Sequence, residues 1–212
     1  MPFDPFADFD SRGYLRNHFG FKDVAQVKKL EYLAFRDALP DALTYLVDQS
    51  ELTYSDVLMT HRILFEAVYP WAGEDRSKTA PEKSISKAGI DFAPPTEIER
   101  AVNYALQMGQ RADFIQKKPG VVMGYLAYGH PFLDGNGRTL LTIFTILTQK
   151  AGLNVEWSRS TKQGYLEALT RELLEPEKGH LDLYLSPLLG DGQISNLRKH
   201  LMQIEGLNDQ PE

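Results

Sequence analysis

The chain has 212 residues, which is enough for one sizeable core and short for two, and no run of about 18 apolar residues could cross a membrane. The absence of cysteine excludes disulfides, thiolate zinc sites and cysteine nucleophiles; it fits a cytoplasmic location, although a protein exported by a dedicated machine would look the same. The formal net charge of −6 argues against nucleic acid as a general partner, because no basic face is apparent, but it permits a small patch that binds one nucleotide.

Helical periodicity dominates the first third of the chain. Apolar residues recur at helical spacing over residues 24–47, where Pro40 predicts a kink or a restart. Thr53 or Ser55 is expected to cap a second helix that runs to about Val68.

Residues 76–95 differ in character, because they are polar and interrupted by prolines and a glycine. Short alternating pieces around residues 84–87 and 90–92 predict a small β-hairpin.

The remainder of the chain is again helical. Thr96 and Glu99 form a capping-box pattern that predicts a helix to about Ala112. Further helices are expected at about residues 119–128, 137–151, 161–174, 179–188 and 193–205. The helix over 137–151 is apolar on nearly every side, which places it in the middle of the core, and Gly152 ends it. We therefore predict an all-α fold with a small hairpin, as one domain over residues 1–212.

A glycine-rich loop, GHPFLDGNGRT at residues 129–139, precedes this central helix. Gly135 and Gly137 flank Asn136, and glycines allow positive φ and a close backbone approach. Successive amides in such a turn, together with the helix N-terminus, bind anions, and Arg138 adds a forked cation suited to phosphate oxygens. The loop therefore predicts a phosphate cradle.

Two further side chains in this loop suggest group transfer. His130 could take a proton from a hydroxyl as a neutral imidazole. Asp134 would repel phosphate unless Mg²⁺ lay between them. A lone Gly-x-Gly or a lone histidine is usually structural, but their combination in nine residues indicates phosphoryl or nucleotidyl transfer.

The loop HPFLDGNGR resembles the signature of Fic-domain proteins, HxFx[D/E]GNGRxxR. The segments YPWAGEDR at 69–76 and SKAGIDFAPP at 86–95 resemble further parts of that family, so that the similarity covers about residues 10–190. The resemblance implies a mostly helical Fic core and a protein adenylyltransferase that moves AMP from ATP to a target Ser, Thr or Tyr hydroxyl.

The resemblance also implies roles for individual residues. His130 would be the general base, Asp134 would hold Mg²⁺, and Phe132 would anchor the loop in the core. The nucleotide phosphates would be bound by Gly135, Asn136, Gly137 and Arg138. A flap would bind an extended segment of the protein substrate by strand addition, through Ile85, Ser86, Lys87 and Ala88.

The chain departs from the family pattern at its last arginine, where it has Leu141. In relatives that arginine helps to bind the γ-phosphate, so the nucleotide donor stays open. The alternatives are a transferase of this fold that uses another phosphate-containing donor, and a non-catalytic module that binds a nucleotide and a peptide.

A regulatory feature is suggested near the C-terminus. Many relatives carry an inhibitory helix with the pattern [S/T]xxxE[G/N]; here Glu205 and Gly206 match its end, and Leu201 replaces its Ser or Thr. Glu205 is therefore a candidate brake, or the end of an ordinary surface helix. A separate small antitoxin protein is the alternative regulator.

The other histidines suggest no metal site. His61, His180 and His200 are isolated and lack the spacing of a zinc-binding helix such as HExxH. We expect them to be packing or surface residues.

Overall fold

The computed structural model describes residues 15–87, 89–205 and 207. Its α-helices are α1 (Val24–Asp48), α2 (Tyr54–Phe65), α3 (Arg76–Thr79), α4 (Ile98–Gly109), α5 (Ala112–Lys117), α6 (Pro119–Gly129), α7 (Asn136–Lys150), α8 (Lys162–Leu174), α9 (His180–Leu185) and α10 (Leu197–Leu201). Its strands are β1 (Ser86–Lys87), β2 (Ile90–Asp91), β3 (Leu153–Val155) and β4 (Leu189–Asp191). Short 3₁₀ turns span Trp157–Arg159, Pro176–Lys178 and Ser186–Leu188. The mostly helical prediction is confirmed.

The first two helices start at side-chain caps. The Asp23 carboxylate accepts a hydrogen bond from Gln26 N at 3.0 Å at the start of α1. Thr53 caps α2, as predicted, and the Asp56 carboxylate accepts from its backbone N at 2.7 Å. Helix α1 continues through Pro40 without a restart.

Helix α7 is the central element of the core, as its sequence predicts. Every residue from 139 to 148 is buried, and α1, α2, α4, α5, α6, α10 and strand β3 pack around it. A helix that is covered on all sides has no freedom to shift or rotate without disrupting its neighbours. Its N-terminus at Asn136 is therefore held in one place.

The predicted hairpin is confirmed as an antiparallel pair of β1 and β2, in which Ser86 lies opposite Asp91 and Lys87 opposite Ile90. A second antiparallel pair, β3 with β4, was not predicted from the sequence. Each of its strands has three residues, which is too short for a clear alternating pattern.

Several helices differ from the predictions. The capping box at Thr96 is wrong: Glu97 is the N-cap of α4 and makes no side-chain cap, because a turn from Glu97 N to Pro94 O precedes the helix. Helix α5 was not predicted. The last helix is confined to Leu197–Leu201, and turns follow it, so Glu205 does not lie in a helix.

Within the described residues, no helix combines the length and apolar character that spanning a membrane requires.

A close contact between α6 and α9 fixes the helix that leads into the glycine-rich loop. The Asp182 carboxylate of α9 accepts a hydrogen bond from Gly120 N at 2.7 Å. A Cβ atom added to Gly120 would lie 2.1 Å from the backbone N of Asp182. Only glycine therefore allows this approach.

We predict that Gly120→Ala lowers the free energy of unfolding by about 2 kcal/mol or more, because backbone atoms of α9 must move to admit the methyl group. Urea unfolding measures the loss. Gly124→Ala in the same helix is the matched control, since its Cβ would meet one side-chain atom, Glu172 Cγ at 3.1 Å, and no backbone atom, and alanine favours a helix. Equal losses in the two variants would contradict the backbone contact.

Candidate active site

A cleft of about 750 Å³ opens at the N-terminus of α7. Its walls come from α1, the β1–β2 hairpin, the loop between α6 and α7, helix α8 and the segment after α10. The structure brings the predicted residues His130, Asp134 and Arg138 together along this cleft.

The loop before α7 is bent at Gly135, the N-cap of that helix, where φ is +76°. A Cβ atom on Gly135 would lie 2.6 Å from Cε2 of Phe65. Both the backbone angle and the close approach to this ring therefore require glycine.

The Asn136 side chain closes the loop from inside. Its Oδ1 accepts from Phe132 N at 2.9 Å, and its Nδ2 donates to Phe132 O at 2.7 Å. The same Nδ2 lies 3.3 Å from Nε2 of His130. Asn136 thus ties the start of α7 to the histidine, and Phe132 is buried as predicted.

The first amides of α7 form an anion-binding geometry. The backbone N–H groups of Asn136, Gly137 and Arg138 have no acceptor within the part of the chain that the structure describes; Thr139 N is the first to bond within the turn, to Gly135 O. A Cβ atom at Gly137 would meet open space. These amides and the helix dipole can therefore bind phosphate.

Arg138 is held beside this cradle. Its guanidinium lies 4.7 Å from the centroid of the Phe65 ring. Its Nη2 lies 3.2 Å from Oε1 of Glu31 and 3.9 Å from Oδ1 of Asp134. The cation is thus fixed before any ligand binds.

His130 adopts the left-handed conformation, with φ 39° and ψ 58°, at the end of α6. The buried Arg76 side chain holds it there, because Nε of Arg76 donates to the His130 carbonyl at 2.7 Å and Nη2 to Ala93 O at 2.7 Å. The imidazole stacks on Phe92 with ring centroids 4.1 Å apart. The strained backbone thus aims the ring at the cleft.

Burial lowers the pKa of His130 to about 3, and the nearby charges of Lys87 and Arg76 act in the same direction. The imidazole is therefore neutral near pH 7. Asn136 Nδ2 can only donate, so Nε2 of His130 is the unprotonated nitrogen and accepts from Asn136 at 3.3 Å. The arrangement suits a proton acceptor.

Asp134 fits the kind of magnesium site in which one carboxylate and the phosphate oxygens of a nucleotide coordinate the ion. Its side chain is 47% exposed and lines the cleft, and its Oδ1 accepts from Gly135 N at 2.6 Å. Within the described ranges, no group of three or more His, Cys, Asp or Glu side chains forms a metal cluster. A single carboxylate agrees with the coordination preference of Mg²⁺, which usually keeps several water ligands and binds phosphate oxygens.

His61 packs against the loop between α6 and α7 from the core side. It is buried and stacks on Phe132 with centroids 3.7 Å apart, which agrees with the predicted packing role. Its Nδ1 accepts from Gly73 N at 2.9 Å, so its Nε2 carries the proton and donates to Asp134 O at 3.1 Å. Burial lowers its pKa to about 3. The sequence did not reveal these two hydrogen bonds, because the partners of His61 lie 12 and 73 residues away in the chain.

Glu31 was also missed. It lines the cleft from α1, is only 4% exposed, and contacts Arg138. Burial, followed by the charge of Asp134, raises its pKa to about 7, while Arg138 and the Tyr69 hydroxyl act in the opposite sense. One signal could have found it: Glu31 interrupts the apolar stripe that joins Val27 to Phe35.

The other predicted residues lie at the rim. Ile85 is half-buried, Ser86 and Lys87 are exposed, and Lys87 lines the cleft; Ala88 lies outside the described residues. Leu141 is buried in the cleft wall.

Glu205 also lines the cleft. Its Oε2 accepts from the backbone N of Lys162, at the start of α8, at 2.9 Å. Its neighbour Gly206 lies outside the described residues.

Comparison with known proteins gives one consistent family. A model of the Fic/DOC family matches residues 51–148. The protein adenylyltransferase VbhT of Bartonella schoenbuchensis is 31% identical over 192 residues, which cover 85% of this chain; the chain spans only 37% of the length of VbhT. The probable protein adenylyltransferase y4lH of Sinorhizobium fredii is 29% identical over 173 residues, which cover 74% of this chain and 82% of y4lH.

Solved structures show the same fold. The BepC protein of Bartonella tribocorum, with bound AMPPNP, has a TM-score of 0.71 at 18% identity, and the match covers 91% of this chain and 100% of that chain. The N-terminal Fic domain of a Bartonella quintana protein, with bound ADP, has a TM-score of 0.71 at 18% identity, with 87% and 94% covered.

We predict that His130 and His61 stay neutral to about pH 4, because burial holds the pKa of each near 3. Imidazole NMR chemical shifts measure this, and the urea-unfolded chain is the control, since its histidines titrate near 6.5. At these two histidines the unfolded state then binds more protons between about pH 6.5 and 3, so their contribution to the free energy of unfolding falls as the pH is lowered through this range. A native titration of His130 near pH 6.5 would contradict the buried geometry.

Proposed function

The chain belongs to the Fic/DOC family, and on this premise we propose that it is a protein adenylyltransferase that moves AMP from ATP to a Ser, Thr or Tyr hydroxyl of a target protein. One observation carries the proposal: open amides at the N-terminus of α7 and the neutral His130 imidazole face the same cleft. The adenylyltransferase relatives and the nucleotide-bound structures support it.

In the proposed reaction, the target hydroxyl replaces Asn136 Nδ2 as the donor to Nε2 of His130. Nε2 then accepts the proton of this hydroxyl as the hydroxyl oxygen attacks the α-phosphorus. The bond between the α-phosphorus and the bridging oxygen breaks, and pyrophosphate leaves. The amides of Gly137 and Arg138 and the Arg138 guanidinium hold the phosphate oxygens in place. Asp134 would hold Mg²⁺, which supplies positive charge to the phosphates when it is bound. Asn136 acts by closing the loop and orienting His130.

The hairpin is proposed to bind the target as an added strand. Phe92 N donates to Ile85 O, so the next pair, Ser86 with Asp91, is of the type whose backbone groups point away from the partner strand. The amide and carbonyl of Ser86 are therefore free to bond an extended segment, which would lie beside Lys87 and the mouth of the cleft.

Two alternatives to the adenylyltransferase function stay open. Leu141 puts an apolar side chain where the family has an arginine for the γ-phosphate, which leaves room for another phosphate-containing donor. A non-catalytic nucleotide and peptide module is less favoured, because it has no use for a proton acceptor and a metal ligand together.

Regulation by Glu205 or by a separate antitoxin stays a prediction, as does the cytoplasmic location. The position of Glu205 in the cleft supports a role as a brake. Its carboxylate bonds the start of α8, whereas the carboxylates near Arg138 are those of Glu31 and Asp134. If Glu205 inhibits the protein, it would therefore do so through its contact with α8, which forms one wall of the cleft, and not by pairing with Arg138.

We predict that the protein with Mg²⁺ and cell lysate transfers label from α-labelled ATP to protein, and that His130→Ala lowers the rate at least about 100-fold by removing the base. His180→Ala is the matched control, because that histidine bonds the surface residue Glu175. Label from γ-labelled ATP alone would show a kinase instead. Absence of any His130-dependent label would leave the binding module or another donor.

We predict that Ser86→Pro lowers kcat/KM for the protein target at least about tenfold and leaves KM for ATP unchanged, because proline removes the outward amide that a docked strand would use. Steady-state kinetics at varied target and ATP concentrations measure both values. Ser86→Ala keeps the amide and serves as the control. An unchanged value for the target in the proline variant would refute strand addition.

A further inference from the structure

We infer that Glu31 is a positioning residue that holds Arg138 in the phosphate cradle. The inference rests on the proposed function, because it assigns the support of a residue that would bind the nucleotide phosphates. Glu31 lies 107 residues before Arg138 in the chain, in a helix that forms another wall of the cleft.

The contacts of Glu31 converge on one oxygen. Its Oε1 accepts from the Tyr69 hydroxyl at 2.8 Å and lies 3.2 Å from Nη2 of Arg138. Tyr69 is itself buried and stacks on Trp71, with ring centroids 4.3 Å apart. The carboxylate is thus fixed by a rigid aromatic pair on one side and presents its charge to the guanidinium on the other.

Arg138 is held from two directions. The Phe65 ring lies against the guanidinium, and Glu31 bonds one of its terminal nitrogens. A long arginine side chain without these contacts would sample many rotamers, and ordering it would then oppose ligand binding. With them, the fork is already ordered beside the open amides of α7.

Fold stability alone does not explain a carboxylate at this position. Glu31 interrupts the buried apolar stripe of α1, where a leucine would pack without the cost of removing a charge from water. Asp134 adds a second negative charge nearby, which makes the carboxylate still more costly to ionise. A purely structural residue would avoid this placement, whereas one that orients a phosphate-binding cation requires it.

The test is Mg²⁺-ATP binding by calorimetry, with adenosine as the probe that lacks phosphates. We expect Glu31→Leu to weaken ATP binding at least about tenfold and to change adenosine binding less than about twofold, because only phosphate contacts are lost. Glu31→Gln keeps an oxygen acceptor for Tyr69 and Arg138, so it should recover most of the affinity, to within about threefold of the parent.

Glu172 offers a matched control, because it is another buried glutamate whose carboxylate accepts from Leu181 N, away from the cleft. Glu31→Leu should weaken ATP binding, whereas Glu172→Leu should leave it unchanged. Equal ATP affinity in the parent and Glu31→Leu would overturn the inference, and so would equal weakening in Glu172→Leu.

A double-mutant cycle tests whether Glu31 acts through Arg138. In the Arg138→Ala background, Glu31→Leu should cause no further loss of ATP affinity. A loss that multiplies with that of Arg138→Ala would show independent action and overturn the inference. If the parent protein itself failed to bind Mg²⁺-ATP, the proposed function would fail first, which separates the two conclusions.

Discussion

The burial of α7 is the constraint on which the rest of the site depends. A helix enclosed on every side over residues 139–148 cannot move, so its first amides mark a fixed point at the floor of the cleft. Gly135 then bends the chain tightly over Phe65, and this bend places His130 and Asp134 around the amides. The geometry of the site is a consequence of core packing, because the core supplies the rigidity that fixes the positions of His130 and Arg138.

Charge is distributed unevenly along the cleft, and burial strengthens the effect of this distribution. Lys87 and Arg76 lie towards His130 and help to keep its imidazole neutral. Glu31 and Asp134 lie towards Arg138, where they oppose each other and favour a bound cation. The cleft therefore has one end with a neutral imidazole and another end where the Arg138 guanidinium lies near two carboxylates.

The sequence could predict those features that arise within short stretches of chain. The glycine-bent loop predicted the grouping of His130, Asp134 and Arg138, because nine residues in a tight turn must lie together. The apolar character of residues 137–151 predicted the buried helix in the same way. Short stretches of chain could not reveal the contacts of Glu31, His61 and Arg76. The partners of these residues are distant in sequence, and the contacts depend on how the helices pack. The β3–β4 pair was missed for a related reason: its strands are too short to carry a pattern.

The region that matches the Fic/DOC family model and the lining of the cleft do not cover the same residues. The matched region, 51–148, contains the hairpin, Arg76, His61 and the whole glycine-rich loop. Glu31, the α8 wall and Glu205 line the same cleft from outside that region. Among these outer residues, Glu31 contacts Arg138 directly. On the proposed function, we expect substitutions in α1, α8 and the C-terminal segment to change donor preference or regulation, because these elements line the cleft without carrying His130 or Asp134.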